Sequence, residues 1–323
     1  MSEAWLAILW IALVADWFFG EPPALWSRLG HPVVWFGRAV DRADRAMNLE
    51  SDGAGVRRRK GTLAIAALAG GAALVGGVLQ SAFAVLGPLW WIGEAAVVFV
   101  LVAQKSLADH VRAVARGLAA DGLAGGRGAV GKIVGRDPNT LDESGVVRAA
   151  IESLAENFCD GVVAPAFWYA IAGLPGLLAY KMINTADSMI GHLSERHGDF
   201  GRAAARLDDI ANWLPARFSL ALIAAGAGAV RGLAAARNAF AVALRDAGLH
   251  RSPNAGWPEA AMAGACDIAL GGPRSYGGET VEQGFIHGAG RRELVAGDIE
   301  IALKVFAAAC YALWALAAVL WLA

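Results

Sequence analysis

GTLAIAALAGGAALVGGVLQSAFAVLGPLWWIGEAAVVFVLVA, residues Gly61 to Ala103, decides the structural class of this chain. The stretch carries one charge, Glu94, and is about twice the roughly 20 residues that one helix needs to cross a bilayer. Gly87-Pro88 divides it, because proline lacks the N–H of a helix interior and its ring clashes with the preceding turn. Two spans are expected from it, near 62–86 and 89–103.

Working outward, Ala4 to Phe19 is apolar apart from Asp16, and Val305 to Ala323 is uncharged, which adds spans near 4–19 and 305–323. Two other apolar stretches are less regular. Residues 161–180 contain Pro165, Gly173, Pro175 and Gly176, and residues 216–230 are short with Arg217 at their mouth. Non-helical backbone at membrane depth survives only inside protein or beside a watery cavity, so both stretches are candidates for broken spans lining such a cavity.

Composition agrees. Of 323 residues 57% are hydrophobic and 18% charged, with mean hydropathy +0.46. Soluble chains average about 45–50% apolar and about 25% charged, so polar surface is too scarce here to coat a soluble body. The expected fold is all-α: a polytopic helical integral membrane protein with broken or re-entrant helices and a polar cytoplasmic face, forming one domain over 1–323. The lipid bilayer is its first partner. Net charge is −1, which leaves no basic surplus for nucleic acid. Cys159, Cys266 and Cys310 are far apart without metal-ligand spacing and read as buried thiols. No basic run precedes the first apolar stretch and no small-residue cleavage site follows it, so it is expected to be a retained span.

Orientation follows from Arg57-Arg58-Arg59-Lys60, which the positive-inside rule places in the cytoplasm. Lys105, Arg112, Arg116, Arg127, Lys132 and Arg136 follow the third span and agree. The expected location is the cell inner membrane, multi-pass, with the active face cytoplasmic.

Polar residues concentrate where apolar runs begin or end. Arg148, Glu152, Glu156 and Asp160 recur every four residues, so they share one helix face, with Asn157 beside them. A solvated face is the plain reading. Against it, three carboxylates answer to one arginine and the run leads straight into a Gly/Pro-broken apolar segment. Lys181, Asn184, Thr185, Asp187 and Ser188 follow that segment, and could equally cap a helix at the membrane surface. Arg206, Asp208, Asp209, Asn212 and Arg217 come next. Adjacent aspartates repel and persist where a cation or solvent compensates them; Mg²⁺ takes one or two carboxylates plus substrate phosphates.

Further on, Ser252-Pro253-Asn254-Ala255-Gly256-Trp257-Pro258-Glu259 and Gly271-Gly272-Pro273-Arg274-Ser275-Tyr276 are either surface loops or a Gly-rich phosphate cradle. Asp16, Glu21 and His31 lie around the end of the first span, where a capping histidine is the simpler reading. Gly126 to Lys132 mimics the start of a phosphate-binding loop, but Ile133 stands where a Mg²⁺-binding hydroxyl belongs and no strand precedes it.

Ala155-Glu156-Asn157-Phe158-Cys159-Asp160-Gly161, Asn184-Thr185-Ala186-Asp187-Ser188-Met189 and Arg206-Leu207-Asp208-Asp209 together resemble the CobD/CbiB family of cobalamin biosynthesis. Asn212 with Pro215-Ala216-Arg217, the Ser252 to Glu259 run, Gly135-Arg136-Asp137-Pro138 and the N-terminal Gly20-Glu21-Pro22 and His31-Pro32 extend the likeness in order over nearly the whole chain. Phe158-Cys159 and His192 depart from the family pattern without touching the acids.

The resemblance implies an adenosylcobinamide-phosphate synthase. Such an enzyme joins adenosylcobyric acid, the corrinoid substrate, to aminopropanol or its O-phosphate through an amide bond, with ATP and Mg²⁺. It implies Glu156, Asn157, Asp160, Asn184, Asp187, Asp208 and Asp209 as catalytic, and Asp187, Asp208 and Asp209 as metal ligands. Substrate contacts then fall to Asp16, Glu21, His31, Arg136, Lys181, Arg206, Asn212, Arg217, Ser252, Asn254, Trp257, Glu259 and Tyr276. The ATP site matches no standard loop. A second copy of the chain, or other membrane enzymes of cobalamin assembly, would be protein partners. A transporter or a non-catalytic membrane partner is the alternative, since broken helices with intramembrane acids also mark transporters.

Overall fold

A computed structural model gives the architecture. It describes residues 2–20, 26, 30–135, 137–272, 274–276, 279–281 and 284–323, with backbone alone for Ser2, Glu3, 274–276 and 279–281. Among the described residues, the helices longer than one turn are α1 (Ser2–Phe19), α2 (Pro32–Met47), α3 (Ala54–Ala84), α4 (Trp90–Leu101), α5 (Gln104–Val130), α6 (Glu143–Phe158), α7 (Ala164–Ile190), α8 (Arg202–Ala211), α9 (Trp213–Arg231), α10 (Leu233–Asp246), α11 (Gly256–Cys266) and α12 (Ala296–Leu322). Two short antiparallel ribbons interrupt them. β1 (Leu270–Gly271) pairs with β4 (Phe285–Ile286), and β2 (Arg274–Tyr276) with β3 (Glu279–Val281).

The chain is a helical membrane protein. Among the described residues five helical stretches are long and apolar enough to cross a bilayer: Ala54–Ala84, Gly87–Val130, Glu143–Ile190, Trp213–Arg231 and Ala296–Leu322. Ala4–Phe19 is a shorter apolar helix. Gly87-Pro88 does divide two helices, and the stretch expected near 89–103 is α4. α4 is only 12 residues long, Val102 is extended, and α5 starts afresh at Gln104. The 161–180 stretch is broken twice. A π-helical turn, Cys159–Val163, separates α6 from α7, and α7 itself kinks where Ala172 and Gly173 leave helical geometry, Gly173 with φ +61. That left-handed conformation suits a residue without Cβ, and Pro175 then restarts the helix in its first turn, where a missing N–H costs nothing. Residues 216–230 lie within α9, an uninterrupted helix of 19 residues. The phosphate-loop mimic at 126–132 begins inside α5, with Gly126 packed on Leu118, so no strand-to-helix cradle exists there.

Two compact units emerge. The first comprises residues 1–103, 164–212 and 317–323, and the second 104–163 and 213–316. In the first, α3 lies against α7 so closely that a Cβ on Gly76 would come within 2.6 Å of the Leu174 carbonyl. Small residues at such crossings let backbones approach, which replaces the hydrophobic drive that lipid does not supply. Glu94, the one charge of the deciding stretch, is fully buried and accepts a 2.8 Å hydrogen bond from the Tyr169 hydroxyl. In the second unit, Gly264 of α11 meets Asn238 of α10 and Gly226 of α9 meets Val305 of α12 in the same way, while Phe158 and Phe306 stack edge-on at 5.5 Å. All three cysteines are buried thiols outside any disulfide, and burial pushes the Cys266 thiol up to about 12, out of range for chemistry at neutral pH.

Candidate active site

In the first unit, the second half of α7 carries Tyr180, Lys181, Asn184, Asp187 and Ser188 at three- and four-residue spacing, hence along one face. α8 meets that face with Ala204, Asp208 and Ala211 buried, also one side of a helix. Two bonds dock the end of α8. Trp168 Nε1 donates to the Ala211 carbonyl at 3.1 Å, satisfying an acceptor that a helix terminus leaves open, and Tyr180 Oη donates to Asn212 Oδ1 at 3.0 Å. Asn212 passes the bond on, its Nδ2 donating to Asp208 Oδ2 at 3.0 Å, while Asn184 Nδ2 donates to Asp208 Oδ1 at 3.4 Å.

Asp208 is thereby buried with an amide on each oxygen. Burial, then the Asp187 charge, raise it to about 7 against the lowering effect of the two amides, and Asp209 adds a smaller push. Asp209 is itself raised by burial. The three aspartates foreseen as metal ligands therefore lie within reach of one another's fields. Among the described residues no three His, Cys, Asp or Glu side chains close on a point as a complete metal cage. Mg²⁺ does not require one, since it keeps waters and phosphate oxygens in its shell, and a carboxylate group held at unfavourable charge is what it relieves. The Asp187 carboxylate lies over Gly191, whose N–H donates to the Asp187 carbonyl at 2.7 Å.

The segment after Asp187 is clamped. Arg196 donates to Asp44 Oδ2 through Nε at 3.1 Å and Nη2 at 2.6 Å, and Asn48 donates to Asp44 Oδ1 and to the Arg196 carbonyl. Burial raises the Asp44 carboxyl, but Arg196, Asn48 and His197 outweigh it and leave it below the usual carboxylate range. Arg206 is exposed on α8 and Lys181 is buried in α7. Asp16 is fully buried in α1. His31 caps α2, accepting from Val33 N at 3.3 Å, with its Nε2 3.3 Å from the Val100 carbonyl. Glu21 lies outside the described residues.

The second unit holds the other predicted residues. The Arg148–Asp160 face divides in two. Glu152 is buried and accepts from Gly271 N at 2.7 Å, and Arg148 donates to the carbonyls of Ala269 and Arg292. Those two bind the strand segment to α6, whereas Glu156 and Asn157 stay exposed and Asp160 sits in the π-helical turn. Asn157 donates to the Ser153 carbonyl at 2.9 Å. Ser252 accepts from the N–H groups of Asn254 and Ala255 and so forms the turn into α11. Asn254 and Glu259 are buried, with His250 Nε2 3.5 Å from Glu259 Oε1. Arg217 Nη1 donates to the Trp213 carbonyl at 2.6 Å, and its guanidinium carbon lies 4.2 Å from the Trp213 ring centre and 4.7 Å from that of Trp257. Arg136 and the Tyr276 side chain lie outside the described part of the structure.

Sequence reasoning passed over Tyr180, Gly191, Trp213 and His250. Trp213 stands four residues before Arg217 on a helix, a spacing that could have suggested the contact. Tyr180 shares the α7 face of Asn184 and Asp187.

The family model described as "CobD/Cbib protein" matches residues 9–306. A Rhizobium meliloti (strain 1021) protein named "Cobalamin biosynthesis protein CobD" is 60% identical over 310 residues, 96% of this chain and 95% of its own. A protein of the same name from Sinorhizobium sp is 59% identical over 310 residues, 96% of each chain. One from Rhodobacter capsulatus is 45% identical over 285 residues, 87% of each. No solved structure matches. With the family's span covering nearly the whole chain and these relatives 45–60% identical to it, this protein belongs to the CobD/CbiB family.

Proposed function

We propose that the protein acts in cobalamin biosynthesis as an ATP- and Mg²⁺-dependent amide-forming enzyme, joining adenosylcobyric acid to aminopropanol or its O-phosphate. The observation that carries this reading is the Tyr180–Asn212–Asp208–Asn184 network, which holds Asp208 buried within the field of Asp187 and Asp209. A carboxylate does not react with an amine until its oxygen is made a leaving group. In the proposed sequence a substrate carboxylate oxygen attacks the γ-phosphorus of ATP, ADP departs, and an acyl phosphate results. The amine nitrogen then attacks the acyl carbon, the C–O bond breaks, inorganic phosphate leaves with that oxygen, and the nitrogen loses a proton.

Both steps depend on positioning and on neutralising phosphate charge. Asp187 and Asp209 would hold Mg²⁺, with Asp208 fixed behind them by its two amides. The ion would supply charge neutralisation at the phosphate oxygens. Arg206 and Arg217 are cations suited to phosphate or carboxylate oxygens, since a guanidinium offers paired donors. Active sites of this kind face the ATP pool, so the cytoplasmic side is proposed for both polar regions.

The test is reconstitution. Purified protein with adenosylcobyric acid, aminopropanol or its phosphate, ATP and Mg²⁺ should give an amide product and ADP in equal amounts. Product formation that persists without ATP, or no product with either amine, would refute the reading.

A further inference from the structure

Arg217 lies one turn into α9, half-buried, flanked by the indoles of Trp213 on its own helix and Trp257 on α11. One of its nitrogens, Nη1, is engaged by the Trp213 carbonyl. Among the described residues Nε and Nη2 have no protein acceptor, and no carboxylate pairs with this guanidinium. A cation partly removed from water and left without a counter-charge is an unfavourable arrangement by itself. Ring quadrupoles recover part of that loss, and they also fix the plane of the group, because both ring faces lie within about 6 Å of it. The free donors then form a preset edge, the geometry that a planar fork offers to the oxygens of a carboxylate or phosphate.

We propose that Trp213, Arg217 and Trp257 form an oxyanion receptor in the second unit, Arg217 binding a phosphate or carboxylate oxygen pair and the two tryptophans positioning its guanidinium. This deepens the proposed function and rests on it only for what the anion belongs to: a nucleotide phosphate, an amine O-phosphate or a substrate carboxylate. Trp213 acts through Arg217 and is a positioning residue.

The experiment is equilibrium binding of pyrophosphate, inorganic phosphate and propionate to the full-length protein in detergent, without amine or corrinoid. Wild-type protein is expected to bind at least one of them, and which one distinguishes a phosphate source from a carboxylate source. Arg217→Lys keeps the charge but loses the fork and should weaken that anion about tenfold or more. Trp213→Ala should weaken it several-fold, within the range that loss of a cation–π contact allows, while Trp213→Phe keeps an aromatic face and stays within about threefold of wild type.

In turnover assays Trp213→Ala should raise the KM of the anionic substrate with kcat little changed, the mark of lost ground-state positioning. Were the stack only a packing contact between α9 and α11, Trp213→Ala would alter stability and leave anion affinity intact, and that result overturns the proposal. So does absence of binding of all three probes by wild type. If Trp213→Ala fails to insert, Arg217→Lys and Trp213→Phe still decide. Loss of anion binding in the variants of a protein that makes no amide would refute the reaction and leave the receptor standing. Amide synthesis with unchanged anion binding in the variants would do the reverse.

Discussion

Asn212 donates to Asp208 across a single turn at 3.0 Å, and the carbonyl oxygen of the same Asn212 side chain accepts from Tyr180. One amide thus satisfies a buried phenol on one side and a buried carboxylate on the other. Asn212→Ala would take one hydrogen bond from each partner at once. A lost buried hydrogen bond costs on the order of 1 kcal/mol, more where one partner is charged, so the variant should unfold earlier than wild type in detergent, as thermal melting followed by circular dichroism would show. Tyr180→Phe removes one bond only and should cost less. Equal melting temperatures for Asn212→Ala and wild type would contradict the network.

The Asp208 carboxyl, raised to about 7, makes a prediction about pH. An acid whose folded-state value lies above its unfolded one binds more protons when folded, so stability falls as pH rises between the two values. Between about pH 4 and 7 the Mg²⁺-free protein should therefore lose stability as pH increases, and Asp208→Asn should flatten that slope. Added Mg²⁺ should restore stability mainly at the upper end of the window, where the carboxylates are charged. Melting temperatures at several pH values, with EDTA and then with Mg²⁺, measure this. A slope that is the same in wild type and Asp208→Asn would rule out Asp208 as its source.

How much of this was visible in the sequence differs from element to element. The membrane class was legible because apolar runs of span length leave little alternative, and the acids of α7 and α8 stood out because each run begins or ends such a segment. Arg148 and Glu152 were the misleading part of their helix face. Their partners, Gly271, Ala269 and Arg292, are more than a hundred residues away, and a four-residue repeat carries no information about a distant backbone donor. The end of α4 at Leu101 was legible as well, since the apolar run stops at Ala103 and a span was expected near 89–103. The short β1–β4 pairing follows from long-range register, which Gly-rich loop sequence does not announce.

Gly191 supplies a prediction that does not alter charge. A Cβ at this position would collide with the Asp187 carboxylate and approach its carbonyl oxygen to 2.7 Å. Gly191→Ala should therefore push the carboxylate aside, lowering activity by about tenfold or more, roughly 1.4 kcal/mol in the barrier, with membrane insertion retained. The measurement is specific turnover against the amount of monodisperse protein. Activity within twofold of wild type would show that the position of this carboxylate is not critical.

The last prediction concerns Asp187 and Asp209 themselves. Asp208 has an amide on each of its oxygens, and the three carboxylates repel one another when charged. Asn keeps the shape of Asp and removes its charge. If the aspartates were structural, Asp187→Asn and Asp209→Asn would relieve repulsion, raise thermal stability without Mg²⁺ and leave turnover near normal. If they hold Mg²⁺ against a phosphate, the same relief of repulsion appears in the metal-free protein, but a contact made in the transition state is lost. Turnover should then fall at least about 100-fold, close to 3 kcal/mol, and the stabilisation by Mg²⁺ seen in wild type should shrink. Melting curves with and without Mg²⁺ and turnover at limiting and saturating Mg²⁺ separate the two cases. Near-normal turnover of both variants at limiting Mg²⁺ would place the metal elsewhere in the protein.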